Sequence, residues 1–203
     1  PPVRRDRGAA RPVIGIRAAT SDDAGAIAAI YAPHVLTGTA SFEIEPPEKA
    51  EMRKRMHASE GLYPWIVATT GGASANDPDA GVIGYAYAGK FRDRPAYRYV
   101  CETSIYLTDA SSGSGVGRLL YEALVGTLPA QGFIHAIGTI TLPNDRSIRL
   151  HEAVGFRRQG VYREVGFKHG QWIDVGFWQC ELNEPRVPPV EPRKFADMGI
   201  VRD

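Results

Sequence analysis

Glu102-Thr103-Ser104-Ile105-Tyr106-Leu107, followed shortly by Ser111-Ser112-Gly113-Ser114-Gly115-Val116-Gly117-Arg118, is the stretch that decides how this chain folds. The first run is β-branched and aromatic and reads as a strand. After the glycines, Val116, Leu119, Leu120, Ala123 and Leu124 recur at helical spacing and form one apolar face. A glycine-rich turn between strand and helix points backbone N–H groups outward at the positive end of the helix dipole, which suits phosphate. Glycine and serine are also ordinary connector residues, so the spacing has to discriminate. A P-loop needs Lys-Ser or Lys-Thr after its glycines, and none follows here. A dinucleotide fingerprint needs G-x-G-x-x-G early in a βαβ unit, whereas Gly113, Gly115 and Gly117 alternate deep in the chain.

Composition narrows the class. The 203 residues suffice for one domain with a substantial core. At 43% hydrophobic and 23% charged, the chain reads as a soluble globular protein. A net charge of +1 gives no global field for nucleic acid or a membrane surface. No apolar run is long enough to span a bilayer. Arg4, Arg5, Arg7 and Arg11 near the start have no apolar segment behind them, so a secretory signal is not expected. Cys101 and Cys180 fall in expected strands, which points to reduced thiols in a cytoplasmic protein rather than to a bridge.

Residues 1–13 and 183–203 are rich in Pro and Arg, lack periodicity and read as tails; the domain is expected over 14–182. Ile14 to Arg17 reads as a first strand, and Thr20-Ser21-Asp22-Asp23 as a capping box for a helix with Ile27, Ile30, Tyr31 and His34 on one face. Pro46-Pro47 is expected to open a second helix running to about His57. Strands are expected at Trp65–Thr69 and Val82–Ala88, joined by a polar connection over Gly71–Pro78. The strand at Glu102–Leu107 and the glycine loop lead into a helix ending near Leu128-Pro129. A strand over Phe133–Thr141, a helix over Asn144–Val154, and strands near Phe156–Tyr162 and Trp172–Glu181 complete a mixed α/β sheet flanked by helices.

Four residues carry candidate chemistry. Asn144 follows a strand and opens a helix, which by itself describes a routine N-cap. His151 lies two turns on, on the same side, and reads either as a satisfied core histidine or as a functional group. Glu102 shares a strand face with Ser104 and Tyr106. It is a solvated acid, a partner for Arg98, or a general base with proton affinity raised by partial burial. Arg94, in Arg92-Asp93-Arg94-Pro95-Ala96-Tyr97, is plain surface charge or a fork for an anionic head group. No His/Cys/Asp cluster has metal-ligand spacing, so no metal is expected.

The glycine loop resembles the acyl-CoA diphosphate loop of GCN5-related N-acetyltransferases, (Q/R)-x-x-G-x-(G/A), with Ser112 where that family usually has Gln or Arg. Backbone N–H groups make most contacts in such a loop, so Ser112 is expected to weaken coenzyme binding rather than abolish it. Leu142-Pro143-Asn144-Asp145-Arg146-Ser147-Ile148-Arg149-Leu150-His151-Glu152-Ala153-Val154-Gly155-Phe156 resembles the fourth-helix signature of the phosphinothricin N-acetyltransferase subfamily. Gly166-Phe167-Lys168-His169-Gly170-Gln171-Trp172-Ile173-Asp174-Val175-Gly176-Phe177-Trp178-Gln179 is similar to its closing segment. Ser41-Phe42-Glu43-Ile44-Glu45-Pro46 and Tyr85-Ala86-Tyr87-Ala88-Gly89 also resemble it, so the likeness spans roughly residues 14–182.

That resemblance implies a GNAT-type fold: a mixed, mostly antiparallel sheet of about seven strands flanked by about four helices and splayed between strands 4 and 5. It implies acetyl-CoA as co-substrate, a small amino-acid acceptor and a homodimer. Glu102 and His151 take the catalytic positions. Ile105, Tyr106 and Leu107, with Gly113, Ser114, Gly115, Val116, Gly117 and Arg118, take coenzyme positions, and Asn144 contacts the pantetheine arm. Phe42, Arg94, Glu102, Ser104, Tyr106 and His151 are expected to line the acceptor pocket. Lys168 and His169 match subfamily residues without an assigned chemistry, and are expected to serve the closing hairpin or a subunit contact.

The expected reaction moves an acetyl group to the α-amine of phosphinothricin, methionine sulfoximine or methionine sulfone. Glu102 deprotonates the ammonium directly or through water, strand N–H groups near Ile105–Leu107 stabilise the oxyanion, and His151 orients the substrate or protonates the departing thiolate. Two alternatives stand beside it: an acetyltransferase for another amine, such as a protein N-terminus or an aminoglycoside, and a catalytically silent acetyl-CoA sensor.

Overall fold

The computed structural model describes residues 13–58, 60–71 and 81–201. Residues 1–12 of the expected N-terminal tail, and the expected connection beyond Gly71, lie outside the described residues. The first half of the chain contains β1 (Ile14–Ala18), α1 (Ala24–Leu36), α2 (Lys49–His57), β2 (Trp65–Thr70), β3 (Val82–Lys90) and β4 (Val100–Leu107). The second half contains α3 (Val116–Gln131), β5 (His135–Leu142), α4 (Asp145–Ala153), β6 (Arg157–Lys168), β7 (Gln171–Glu181) and α5 (Phe195–Met198).

The strands form one seven-stranded sheet in the order β1-β2-β3-β4-β5-β7-β6. All neighbours are antiparallel except β4 and β5. Strand β2 shows why both faces are dry: Trp65 and Val67 join Ile27, Ile30, Tyr31 and Met52 under α1 and α2. Their neighbours Ile66 and Ala68 join Leu120, Leu124, Leu128 and Phe133 under α3. A strand covered on both sides loses the alternating pattern and reads as a continuous apolar run.

Helix boundaries differ from the expectation where prolines are involved. α2 starts at Lys49 with an extended Glu48 as its N-cap, not at Pro46-Pro47. A residue preceding proline is held extended, so Pro46 cannot join a helix through Pro47. α3 runs through Pro129 to Gln131 and stops at the left-handed Gly132. In the last turn the missing proline N–H removes a single bond, and a glycine with positive φ supplies the stop. Before α1, the capping box at Thr20 and Asp23 is formed, and the Arg17 fork grips the Asp23 carboxylate at 2.7 and 2.8 Å.

β6 is longer than expected because it bulges twice, between Arg158 and Gly160 and between Tyr162 and Gly166. It meets β7 through a two-residue turn in which His169 and Gly170 both have positive φ, the geometry that matches strand twist in a tight hairpin. The residues expected as a C-terminal tail run along the domain instead. Phe195 is buried in the α3-side core, and Gln131 donates to the carbonyls of Leu62 and Arg193 at 2.8 and 2.7 Å. Arg98 forks onto Glu191 rather than meeting Glu102. A segment with no periodicity of its own still packs when one apolar residue finds a slot and its carbonyls find donors.

The decisive irregularity lies between β4 and β5. They pair only from Val100 with His135 to Thr103 with Gly138. Beyond that point β4 keeps its ladder with β3 as far as Leu107, and β5 keeps its ladder with β7 as far as Leu142. The two parallel strands therefore part in the middle of the sheet.

Candidate active site

The parting creates a cavity of about 350 Å³ whose walls include Ser104, Tyr106, Thr139, Asn144, Arg146 and His151. Ile105, Leu107 and Ser112 also line it. Strand alternation sorts the β4 side chains. Thr103 faces α3 and meets the Tyr121 hydroxyl at 2.7 Å. Tyr106 faces the other way, against Tyr31 and Tyr85, with ring centroids 4.9 and 5.4 Å away. By two-residue period, Glu102 and Ser104 share the Tyr106 face, as read from the sequence.

At one end of the cavity the chain turns into α3. Gly113 and Gly115 have φ of 81° and 89°, a left-handed backbone that side chains rarely adopt. The turn is braced internally, with Ser114 Oγ donating to the Ser111 carbonyl at 2.6 Å. Gly115 is the N-cap of α3, and no side chain caps the helix. The N–H groups of Val116 and Gly117 at its start have no intrahelical acceptor and suit an anionic group, whereas the Arg118 N–H donates to the Gly115 carbonyl at 3.1 Å. Gly117 also lets α3 approach β4, since an added Cβ there would lie 3.0 Å from Leu107 Cδ1.

At the other end sits α4. Asn144 is its N-cap, accepting from the Ser147 N–H at 3.2 Å while also lining the cavity. His151 is only 4% exposed. Its Nδ1 meets the Ser147 carbonyl at 2.8 Å, so Nδ1 carries the hydrogen and donates. Burial lowers its proton affinity, and the bond to Ser147 opposes that only in part; the ring is neutral near pH 7. Its far edge lies flat on β5: a Cβ on Gly138 would come within 2.5 Å of Cδ2 and 2.8 Å of Nε2.

Glu102 is half-buried, and its Oε1 accepts from the Thr139 hydroxyl at 2.6 Å. Thr139 lines the cavity between the parted strands. On its other flank Glu102 is in register with Gly89, which lines a second cavity of about 680 Å³. That cavity has an aromatic wall: the Trp65 and Tyr87 rings stack at 4.2 Å, with Tyr85 and Tyr31 beside them. Burial raises the Tyr87 phenol, Ser104 opposes this by hydrogen bonding, and the Glu102 charge raises it further. Glu102 thus stands between two cavities that share no lining residue.

The expected site residues divide. Glu102, Ser104, Ile105, Tyr106, Leu107, Asn144 and His151 gather at or beside the cavity between the strands, and the loop from Gly113 to Arg118 leads from it into α3. Phe42 and Arg94 line neither cavity. Phe42 lies over Gly166 of β6, where an added Cβ would collide with its ring. Arg94 is exposed as the N-cap of a short turn over Pro95–Tyr97. The cations at the second cavity are Arg55, forked onto Glu43 at 2.7 and 3.0 Å, and Lys90 at its rim.

Lys168 and His169 now have a structural role. Buried Lys168 donates from Nζ to the Ser41 carbonyl at 2.7 Å, and His169 Nε2 lies 3.2 Å from the Gly38 carbonyl. Together with Phe42 on Gly166, they tie the α1–α2 segment to the β6–β7 hairpin. That segment supplies Glu43, whose carboxylate Arg55 holds low and which also accepts from Tyr31 at 2.9 Å. Thr139, Trp65 and Tyr31 escape a sequence reading because nothing local marks them; the alternation of β5 was the one available signal for Thr139. Among the described residues no group of three or more His, Cys, Asp or Glu side chains is gathered for a metal, and no helix is long and apolar enough to cross a membrane.

Comparison with known proteins agrees with this geometry. The acetyltransferase (GNAT) domain family matches residues 16–176. A phosphinothricin N-acetyltransferase of Streptomyces viridochromogenes is 39% identical over 183 residues, covering 90% of this chain and 95% of that protein. An L-methionine sulfoximine/L-methionine sulfone acetyltransferase of Pseudomonas paraeruginosa is 34% identical over 175 residues, covering 86% and 98%. The crystal structure of a GNAT superfamily phosphinothricin acetyltransferase from Sinorhizobium meliloti, in complex with AcCoA, superposes with a TM-score of 0.79 at 39% identity, covering 92% of this chain and 97% of that one. A seven-stranded sheet parted between β4 and β5, a glycine loop at the parting and this family match together make the chain a member of the GNAT acetyltransferase family.

Proposed function

We propose that this chain N-acetylates the α-amine of a small amino acid of the phosphinothricin, methionine sulfoximine or methionine sulfone type, with acetyl-CoA as donor. One observation carries the reading: Glu102, which itself lines neither cavity, accepts from Thr139 of the cavity between the parted strands and pairs across the β3–β4 ladder with Gly89 of the aromatic cavity. The residues present fit the donor. The cavity between β4 and β5 suits a narrow arm, the uncapped start of α3 suits its diphosphate, and β4 beyond Thr103 has no ladder to β5. Acetyl-CoA supplies an acetyl group activated as a thioester.

The remaining chemistry belongs to this chain. An amine near neutral pH is mostly ammonium, so a base must take its proton before nitrogen attacks; Glu102 takes it, directly or through one water. Backbone N–H groups at Ile105–Leu107 stabilise charge developing on the acyl oxygen; as the C–N bond forms the thioester C–S bond breaks, and the departing thiolate takes up the proton that Glu102 removed from the amine. A neutral His151 with Nδ1–H committed to Ser147 favours an orienting role over that of a cationic acid.

The reading extends to a cytoplasmic homodimer. Tyr162, Val165, Phe167 and Trp172 are each more than half exposed on the β6–β7 hairpin, an apolar patch suited to a second copy. The test is thiol release from acetyl-CoA across a panel of amino acids, aminoglycosides and peptides. Turnover with methionine sulfone or phosphinothricin, lost on Glu102→Gln, is the expected outcome. Turnover only with peptides or aminoglycosides, or coenzyme binding without turnover, overturns it.

A further inference from the structure

The first position of the diphosphate loop is Ser112, which brings no charge. The structure supplies a cation from elsewhere. Arg146, the second residue of α4, reaches across from the far side of the cavity and donates from Nη1 to the Ser112 hydroxyl. Both residues line the cavity between the parted strands. Arg146 is exposed and forms no ion pair among the described residues, so its charge is uncommitted. Asp109 lines the same cavity; its negative charge makes a compensating cation there more necessary for an anionic ligand.

We propose that Arg146 is a diphosphate-binding residue that replaces, from α4, the cationic or amide side chain missing at position 112. The proposal rests on the reading that this cavity takes acetyl-CoA. The uncapped N–H groups of α3 address one side of the diphosphate, and the planar guanidinium forks onto its oxygens from the opposite side. The Ser112 hydroxyl orients that guanidinium before the ligand arrives. Because the contact bridges α4 and the β4–α3 loop, it also fixes the width of the opening, a function an arginine at position 112 would not perform.

Calorimetric titration with CoA, in the absence of any amine, tests this on the intact chain. Arg146→Ala is exposed and is expected to keep the wild-type melting temperature while binding CoA about ten-fold more weakly, the worth of one charge-assisted hydrogen bond. The same ten-fold loss is expected with 3′-dephospho-CoA, and the difference from wild type shrinks as salt rises. Ser112→Arg in the Arg146→Ala background should restore CoA affinity. Unchanged CoA affinity in Arg146→Ala overturns the proposal. A loss seen with CoA but absent with 3′-dephospho-CoA also overturns it, by moving the contact to the 3′-phosphate. Wild-type protein that binds no CoA overturns the underlying reading itself.

Discussion

The Thr139 hydroxyl donates to the Glu102 carboxylate at 2.6 Å across the last paired rungs of β4 and β5. The bond lies where the sheet opens, and ties one carboxylate oxygen of Glu102 to a residue that lines the cavity. Thr139→Val removes the donor and keeps the shape. Its kcat should fall several-fold with coenzyme affinity unchanged, and Thr139→Ser should recover most of it. Steady-state kinetics on the two variants check this; a wild-type kcat in Thr139→Val with a loss in Thr139→Ser would show that the methyl, not the hydroxyl, matters.

Gly138 and His151 make a second coupled pair. A methyl group at 138 would press into the imidazole at 2.5 Å, against a strand backbone that cannot retreat. Gly138→Ala should destabilise the protein by about 1–3 kcal/mol. With the ring removed in Gly138→Ala/His151→Ala, the combined loss should be less than the sum of the single losses. Urea unfolding of the four proteins completes the cycle.

His151 also predicts a pH dependence. Burial lowers its proton affinity in the folded state, so the unfolded chain binds that proton more readily. Stability should be fully present above the ordinary histidine value of about 6.5 and should fall as pH drops below it. His151→Gln, which cannot protonate, should show a shallower loss between pH 7 and 5.5 in urea midpoints.

Lys168 reaches the acceptor side only through the α1–α2 segment. Lys168→Met removes the bond to the Ser41 carbonyl and should cost about 1–2 kcal/mol of stability. KM for the amino-acid acceptor should rise while CoA affinity stays constant. Faster hydrogen exchange over residues 37–48 would mark the loosened segment; unchanged exchange there would remove Lys168 from this role.

Phe195 tests whether the C-terminal segment belongs to the domain. It is 8% exposed and packs into the α3-side core. Phe195→Ala should cost about 3 kcal/mol, the usual loss for a buried aromatic, measured by chemical denaturation. An effect below about 0.5 kcal/mol, the range of ordinary surface substitutions, would make the segment dispensable.

Much of this molecule was legible in one dimension. The order of strands and helices, the capping box at Thr20 and Asp23, the shared face of Glu102, Ser104 and Tyr106, and the glycine turn into α3 all follow from local rules. Side-chain period and allowed backbone angles belong to neighbouring residues, so a sequence carries them directly. The prolines misled at boundaries, where extended Pro46 delayed α2 and Pro129 was absorbed into the last turn of α3, and in the Pro-rich C-terminal segment, which packs through Phe195.

The partners were another matter, and only the folded chain decided them. Thr139 against Glu102, Phe42 over Gly166, Arg146 on Ser112 and Phe195 in the core join residues far apart in sequence. Each depends on strand register, on where β4 leaves β5 and on how deeply a helix settles. Those are set by the packing of whole faces, which sums many weak contacts that no local pattern records. From sequence alone the strands, the glycine loop and the helix are in place; which hydroxyl meets Glu102 and which cation reaches Ser112 is settled by the tertiary fold.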